Sequence, residues 1–273
     1  MLLVERILLA IVIFFYILTI GLSFAGIFFK RQSWFQWSQK TFIIALSVQT
    51  ISLIARMVIT GHIPVKDEFE NALTCTWVVA LFYWYIAAKW SELWKIIGWV
   101  SLITLVTIGW AGQVSQPNLE PLTLAYQSPW LWVHVFFAWF GYAPLLLATL
   151  LSFKYLWSNR KGSFNESAAS GVDLAEVTYT LIAFGFVMNA GMIATGSLWA
   201  HDLYGSYWSW DPVETWSLIS WLIYAIYLHL RKTSGIKGTK AALLTIFAFI
   251  TVLISAWGVN FFRDTYHIFQ QMF

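Results

Sequence analysis

Charge is what this 273-residue chain has least of: Asp, Glu, Lys and Arg together make up 11% of it, where an ordinary soluble domain carries about 25%. Thirteen acids and sixteen bases cannot cover the surface of a water-soluble globule of this length, so that class is excluded. Disorder is excluded by the same scarcity, because a disordered chain combines high charge with low hydrophobicity. Cysteine is represented by Cys75 alone. The chain therefore cannot close an internal disulfide, holds no CxxC motif and cannot run dithiol exchange by itself. Cys75 lies in an apolar stretch and reads as a small buried hydrophobe. Basic runs interleaved with aromatics are lacking, so the net charge of +3 does not point to nucleic acid. No internal repeat, low-complexity segment, acid–base dyad or activated nucleophile can be picked out.

What is present in excess is apolar and aromatic: 59% of residues are hydrophobic, 19% are aromatic, and eighteen are tryptophan. The length accommodates eight spans of about 20 residues with short loops. The hydropathy pattern predicts an all-α polytopic membrane protein, one integral membrane domain over 1–273, with eight transmembrane helices at 7–29, 41–60, 72–90, 93–112, 130–157, 174–198, 215–230 and 240–261. The first has one positive charge before it, Arg6, and no small-residue cleavage site after it, so it reads as a retained span. Pro144 should kink the fifth. Gly185, Gly191 and Gly196 should let neighbours approach the sixth closely. The polar stretch 158–171 is a linker too short to be a domain.

Lysine and arginine set the expected orientation. Alternate loops hold Lys30, Arg31 and Lys40; Lys89 and Lys95; Lys154, Arg160 and Lys161; and Arg231, Lys232, Lys237 and Lys240. The opposite side keeps only Arg6, Arg56, Lys66 and Arg263. By the positive-inside rule the richer side is cytoplasmic, and both termini face outward. His62, His134, His201 and His267 then fall on the outer side, and His229 alone at the cytoplasmic end of the seventh span. A lone interfacial histidine is ordinarily a snorkelling or capping residue. Four on one face of a small protein bring metal or haem ligation into consideration.

The densest stretch is an outward, tryptophan-rich loop at about 199–216, between helices six and seven. It carries Trp199, Trp208, Trp210 and Trp216, with Tyr204 and Tyr207. Asp211 suits an N-cap, Pro212 the first helical position, and Glu214 the third, which together make a capping box. A capped helix start would fix where Trp208 and Trp210 project. These residues alone leave two readings open: an aromatic belt at the membrane interface, or a platform for a large planar apolar ligand.

Trp208-Ser209-Trp210-Asp211-Pro212-Val213-Glu214-Thr215-Trp216 resembles the tryptophan-rich signature of the WWD haem-handling superfamily. The continuation Trp221-Leu222-Ile223-Tyr224-Ala225-Ile226-Tyr227-Leu228-His229 is similar to the CcsA/ResC branch, the system II type of cytochrome c biogenesis protein. Gly61-His62-Ile63-Pro64 with Glu70 resembles the same branch ahead of span three. The resemblance implies haem export and presentation, and covalent attachment of haem b to the CxxCH thiols of apocytochrome c outside the membrane. It implies His134 and His267 as outer axial ligands of haem iron, and His229 as a ligand of an intramembrane haem. Trp199, Trp208, Trp210, Asp211 and Trp216 would form the cofactor-binding surround, with no catalytic side chain. The implied partners are a CcsB/ResB-type membrane subunit, apocytochrome c, a thioredoxin-like thiol reductant and the lipid bilayer, in a bacterial cytoplasmic membrane or alternatively a thylakoid membrane. Val213 departs from a Lys found in many members, and Asp67 from a usual Asn. His62 and His201 inherit no ligand role. Two other functions remain: haem delivery of the CcmC kind without ligation, and small-solute transport, which would call for intramembrane charge and paired broken helices.

Overall fold

A computed structural model describes residues 3–114, 122, 124–160 and 173–258. Among them the secondary structure is entirely helical, with eight α-helices and two short 3₁₀ segments. The chain divides into two compact units, Met1–Pro121 and Leu122–Phe273.

The first unit contains α1 (Leu3–Phe28), α2 (Gln32–Thr60), α3 (Glu68–Lys89) and α4 (Ile97–Val114), with a 3₁₀ segment at Ser91–Ile96 leading into α4. α1 packs along α2 and α4, and α3 packs on α4. α2 starts nine residues before the expected 41–60, because hydropathy marks where a helix enters apolar surroundings and not where its backbone begins to coil. Two buried polar networks tie the unit together. The Tyr16 hydroxyl donates to Gln49 Oε1 at 2.6 Å, and Gln49 Nε2 donates to the Leu73 carbonyl at 3.0 Å. A polar group buried in such a core is costly unless it finds a partner, and this chain of bonds links three helices. Near the α1 start, Arg56 donates to Glu70 at 2.7 Å and to Glu5 at 3.1 Å, and all three side chains are buried. Asp67 caps α3 by accepting from the Glu70 amide at 2.8 Å. Its second oxygen, Oδ2, is buried without a hydrogen-bond partner among the described residues.

The second unit contains α5 (Pro129–Arg160), α6 (Leu174–Tyr204), α7 (Pro212–Thr233) and α8 (Gly238–Ala256). α5 lies along α6 and α8, and α7 along α8 and α6. Each helix thus touches two others, and the unit is a four-helix bundle. The expected close approach at α6 is present: a Cβ on Gly185, Gly191 or Gly196 would lie 2.6 Å from Leu145, 2.7 Å from Phe137 or 2.7 Å from His134 respectively. Pro144 lies inside α5, which remains one helix across it.

Seven of the eight helices are long and apolar enough to cross a membrane. The one that is not is α7, the seventh expected span. Its 22 residues suffice in length, but the face it buries is Ser217, Ser220, Tyr224 and Tyr227, which lowers its apolar content. The expected outer loop is also narrower than 199–216. Nothing in Trp199–Tyr204 interrupts a helix, so α6 runs on through both Trp199 and His201. It ends at Gly205, whose φ of +72° suits a residue without a Cβ. The connection proper is 205–211.

Candidate functional site

The site is built around that short connection. Asp211 is the N-cap of α7 and accepts from the Val213 amide at 2.8 Å, and Pro212 opens the helix. Glu214 closes the capping box and does more than cap. Its Oε2 accepts from the amides of Ser209 at 2.8 Å and Asp211 at 3.2 Å, and lies 3.3 Å from Ser209 Oγ. The Thr215 hydroxyl donates to the Trp210 carbonyl at 3.2 Å. These tethers hold Trp210 at φ +60°, a left-handed conformation that a bulky side chain adopts only when its surroundings impose it. Trp208 and Trp210 then meet edge to face, with centroids 5.7 Å apart. Trp210 stands out 69% exposed, whereas Trp208 is half-buried, and its indole Nε1 is buried with no hydrogen-bond partner among the described residues.

Beneath Trp208 lies a cleft of about 60 Å³ lined by His134, Met192, Gly196, Glu214, Ser217 and Ser255, among others. His134, on the second turn of α5, points across to α6. Its Nδ1 is 2.8 Å from the Met192 carbonyl oxygen. A carbonyl only accepts, so Nδ1 carries the proton and the lone pair of the neutral ring resides on Nε2. A ring held in this way by a backbone carbonyl is the arrangement typical of a metal-ligating histidine. Trp199, buried in α6, lies nearly parallel to the imidazole, 19° between planes and 6.4 Å between centroids. Gly196 leaves the space that the ring fills: a Cβ there would sit 2.7 Å from Nδ1.

The arrangement brings some expected residues together and separates others. His134, Trp199 and Trp208 form one constellation. Asp211 supports it from the cap, Trp210 projects beside it, and Trp216 is half-buried on α7 without lining the cleft. His201 is elsewhere: its exposed ring stacks on Tyr207 at 4.1 Å. His229 is exposed near the other end of α7, seventeen residues from Pro212 and so about 26 Å along the axis. His267 lies outside the described residues. The Met192 carbonyl, Tyr142 and Ser255 are cleft partners that the sequence reading missed. Only Gly196 had left a signal, as one of three glycines on α6.

Among the described residues, no three His, Cys, Asp or Glu side chains gather to hold a metal ion. A single imidazole would suffice for an iron that arrives with most of its ligands supplied by a macrocycle. Two features of the site fit such a group: an oriented Nε2, and the orphaned indole N–H of Trp208 in the same cleft.

The pattern of the family described as "Cytochrome C assembly protein" matches residues 67–267. The chain belongs to the cytochrome c assembly protein family. The match covers α3 and everything from α4 to α8, including the whole constellation described above. Among curated relatives, the "Cytochrome c biogenesis protein CcsA" of Prochlorococcus marinus strain MIT 9312 is 32% identical over 292 residues, which covers 96% of this chain and 94% of the relative. The protein of the same description from strain MIT 9215 is 31% identical over 289 residues, covering 95% and 93%. That from strain NATL2A is 32% identical over 273 residues, covering 86% of each. Membership in the cytochrome c assembly family therefore extends to nearly the full length of the chain, as a CcsA-type protein.

Proposed function

We propose that this cytochrome c assembly protein presents haem b, as substrate, at the cleft beneath Trp208, and that it is one subunit of a system II synthase attaching haem to the CxxCH thiols of apocytochrome c. The observation that carries the reading is His134: its Nδ1 lies 2.8 Å from the Met192 carbonyl oxygen, which fixes the ring and its tautomer, in a cleft shared with a Trp208 indole N–H that has no partner among the described residues. A cleft of about 60 Å³ is far below the roughly 300–1,000 Å³ of a ligand pocket. It accommodates the contact between imidazole and iron, with the macrocycle lying at its mouth against Trp208 and Trp210. His267 supplies the second outer ligand. Bis-histidine ligation leaves no open position for oxygen, and an incoming CxxCH histidine replaces one ligand at hand-over.

α7 is the seventh of eight crossings in this reading, both termini are extracytoplasmic, and the membrane is the bacterial cytoplasmic membrane or a thylakoid membrane. His229, at the inner end of α7, ligates an intramembrane haem whose other ligand comes from a CcsB/ResB-type subunit. The thiols are kept reduced by a thioredoxin-like protein, since one cysteine cannot do so. The chain's own contribution to bond formation is positioning of thiols against vinyl carbons; the reactivity belongs to haem and the thiols.

The test is co-expression of the chain with its partner subunit, purification, and absorption spectroscopy with haem quantitation. The wild-type complex should show a Soret band, and His134→Ala should lose most of the outer haem while leaving that bound through His229. A wild-type complex without Soret absorption overturns the proposal. Reconstitution with a CxxCH apocytochrome separates ligation from delivery: haem bound but never attached assigns the chain to haem delivery of the CcmC kind.

A further inference from the structure

The end of the four-helix bundle away from the Trp208 cleft carries more positive charge than its acids balance. Lys154, Arg160, Arg231, Lys232, Lys237 and Lys240 gather there, against Asp173 and Glu176 among the described residues. Both acids are committed. Asp173 caps α6, accepting from the Ala175 amide at 2.9 Å, and Glu176 pairs with Arg231. Lys232, Lys237 and Lys240 are in no ion pair among the described residues. Lys237 and Lys240 moreover stand at the start of α8, the positive end of its dipole, with no acid in the first turn.

Within this charge lies a cleft of about 40 Å³ where the ends of all four helices meet. Arg231 and Lys237 line it, with Tyr155, Thr178 and Tyr227. Arg231 is built into the wall. Its side chain is 7% exposed, Nη1 donates to the Ile236 carbonyl at 3.0 Å, and the guanidinium lies 5.9 Å from the Tyr179 ring centre. The carboxylate of Glu176 is 55% exposed, so water screens the acid while the guanidinium stays desolvated and under-compensated. Gly238 keeps the mouth open: its φ is +65°, and a Cβ there would sit 3.0 Å from the Tyr155 hydroxyl. The remaining wall is apolar, with Leu151, Leu174, Ala241 and Ala242. An inorganic anion gains nothing from such a wall, whereas an amphiphile gains from both surfaces. Trp157, in the last turn of α5 and 65% exposed, is the kind of residue that sits at the headgroup level of a bilayer.

We propose that this cleft binds the phosphate headgroup of an anionic phospholipid, with Arg231 and Lys237 facing the phosphate and the apolar wall facing the glycerol and the first acyl carbons. Basic pockets between membrane helices hold headgroups by this combination of charge and shape. The volume admits the oxygens of a phosphate, whereas a nucleotide or a macrocycle needs a pocket of roughly 300–1,000 Å³. Because the cleft touches the ends of four helices, a bound headgroup holds the α7–α8 turn against α5 and α6. The site is separate from the haem reading. His229 is exposed and two residues from buried Tyr227, which puts it on the opposite side of α7, so either proposal can fail without the other.

The test uses the full chain purified in dodecyl maltoside and stripped of lipid. It is titrated with dioleoylphosphatidylglycerol, dioleoylphosphatidylcholine, inorganic phosphate or a glutamate-rich peptide, and the melting temperature and the bound lipid (by native mass spectrometry) are read. Phosphatidylglycerol should bind and raise the wild-type melting temperature, and the other three should not. Lys237→Gln should weaken phosphatidylglycerol binding about fivefold, with its melting temperature in phosphatidylcholine matching that of wild type, which establishes that the variant is folded. Lys232→Gln removes the same charge from the same end but outside the cleft, and should bind as wild type does. An equal response to phosphatidylcholine, or equal losses in the two lysine variants, reduces the effect to general surface adsorption and overturns the proposal. Inorganic phosphate or the peptide acting as strongly as phosphatidylglycerol overturns it in favour of a soluble anion or an acidic protein partner.

Discussion

Gly196 is where a single missing methyl group matters most. Alanine would ordinarily favour the helix by roughly 0.5–1 kcal/mol over glycine. Here its Cβ would fall 2.7 Å from His134 Nδ1 and push the ring off the Met192 carbonyl. Gly196→Ala should therefore reduce haem retention and shift the Soret maximum, with no matching fall in melting temperature. A plain loss of stability would affect both. Asp67 offers a second test at this scale. It sits at the end of α3 outside the span, and burial, reinforced by the Glu70 carboxylate, raises its carboxyl above the ordinary value. The folded state thus penalises the ionised form: the penalty is absent at low pH and is incurred as pH rises through the raised value. Asparagine caps a helix as well as aspartate without that cost. Asp67→Asn should raise the melting temperature at neutral pH, and the gain should vanish on acidification.

At the scale of elements, the start of α7 is the most readable feature and the end of α6 the least. Asp211, Pro212 and Glu214 announce a capping box within four residues, because the groups that satisfy a helix start are its sequence neighbours. Asp211→Ala should cost about 1 kcal/mol, measured by thermal melting, and should weaken haem binding further by releasing Trp208 and Trp210. The end of α6 is hidden because hydropathy falls at Trp199 while the helix persists to Tyr204. Arg56 lay on the expected outer side with no partner in view, since Glu5 and Glu70 come from two other helices. Arg56→Met should destabilise the first unit by about 3–5 kcal/mol, since it strands two buried carboxylates; denaturant unfolding reads this directly.

For the whole molecule the open quantity is topology. The alternation of basic loops predicts eight crossings, while seven helices meet the length and apolarity of a span and α7 falls short through its hydroxyl face. A polar face turned into a bundle need not touch lipid, so α7 can cross in company where it would not cross alone. In a Cys75→Ala background, Ser206→Cys should react with an impermeant maleimide only from outside, and Ser234→Cys only from the cytoplasmic side. Labelling of both from one side would remove α7 from the membrane and with it the intramembrane role of His229.

Composition and local pattern determined that the chain is a helical membrane protein, where most of its helices lie, and that a capped, tryptophan-rich turn opens α7. Those properties depend on each residue's own hydration and on backbone groups a few positions away, so they are written in short stretches of sequence. Tertiary structure alone decided which histidine is oriented, by a carbonyl 58 residues away in α6. It also decided which acids hold Arg56, and that the serines and tyrosines of α7 face the threonines of α8. Such choices follow from packing and from the cost of leaving buried polar groups unpaired, and a residue's neighbours in the chain carry no trace of the partner it will meet.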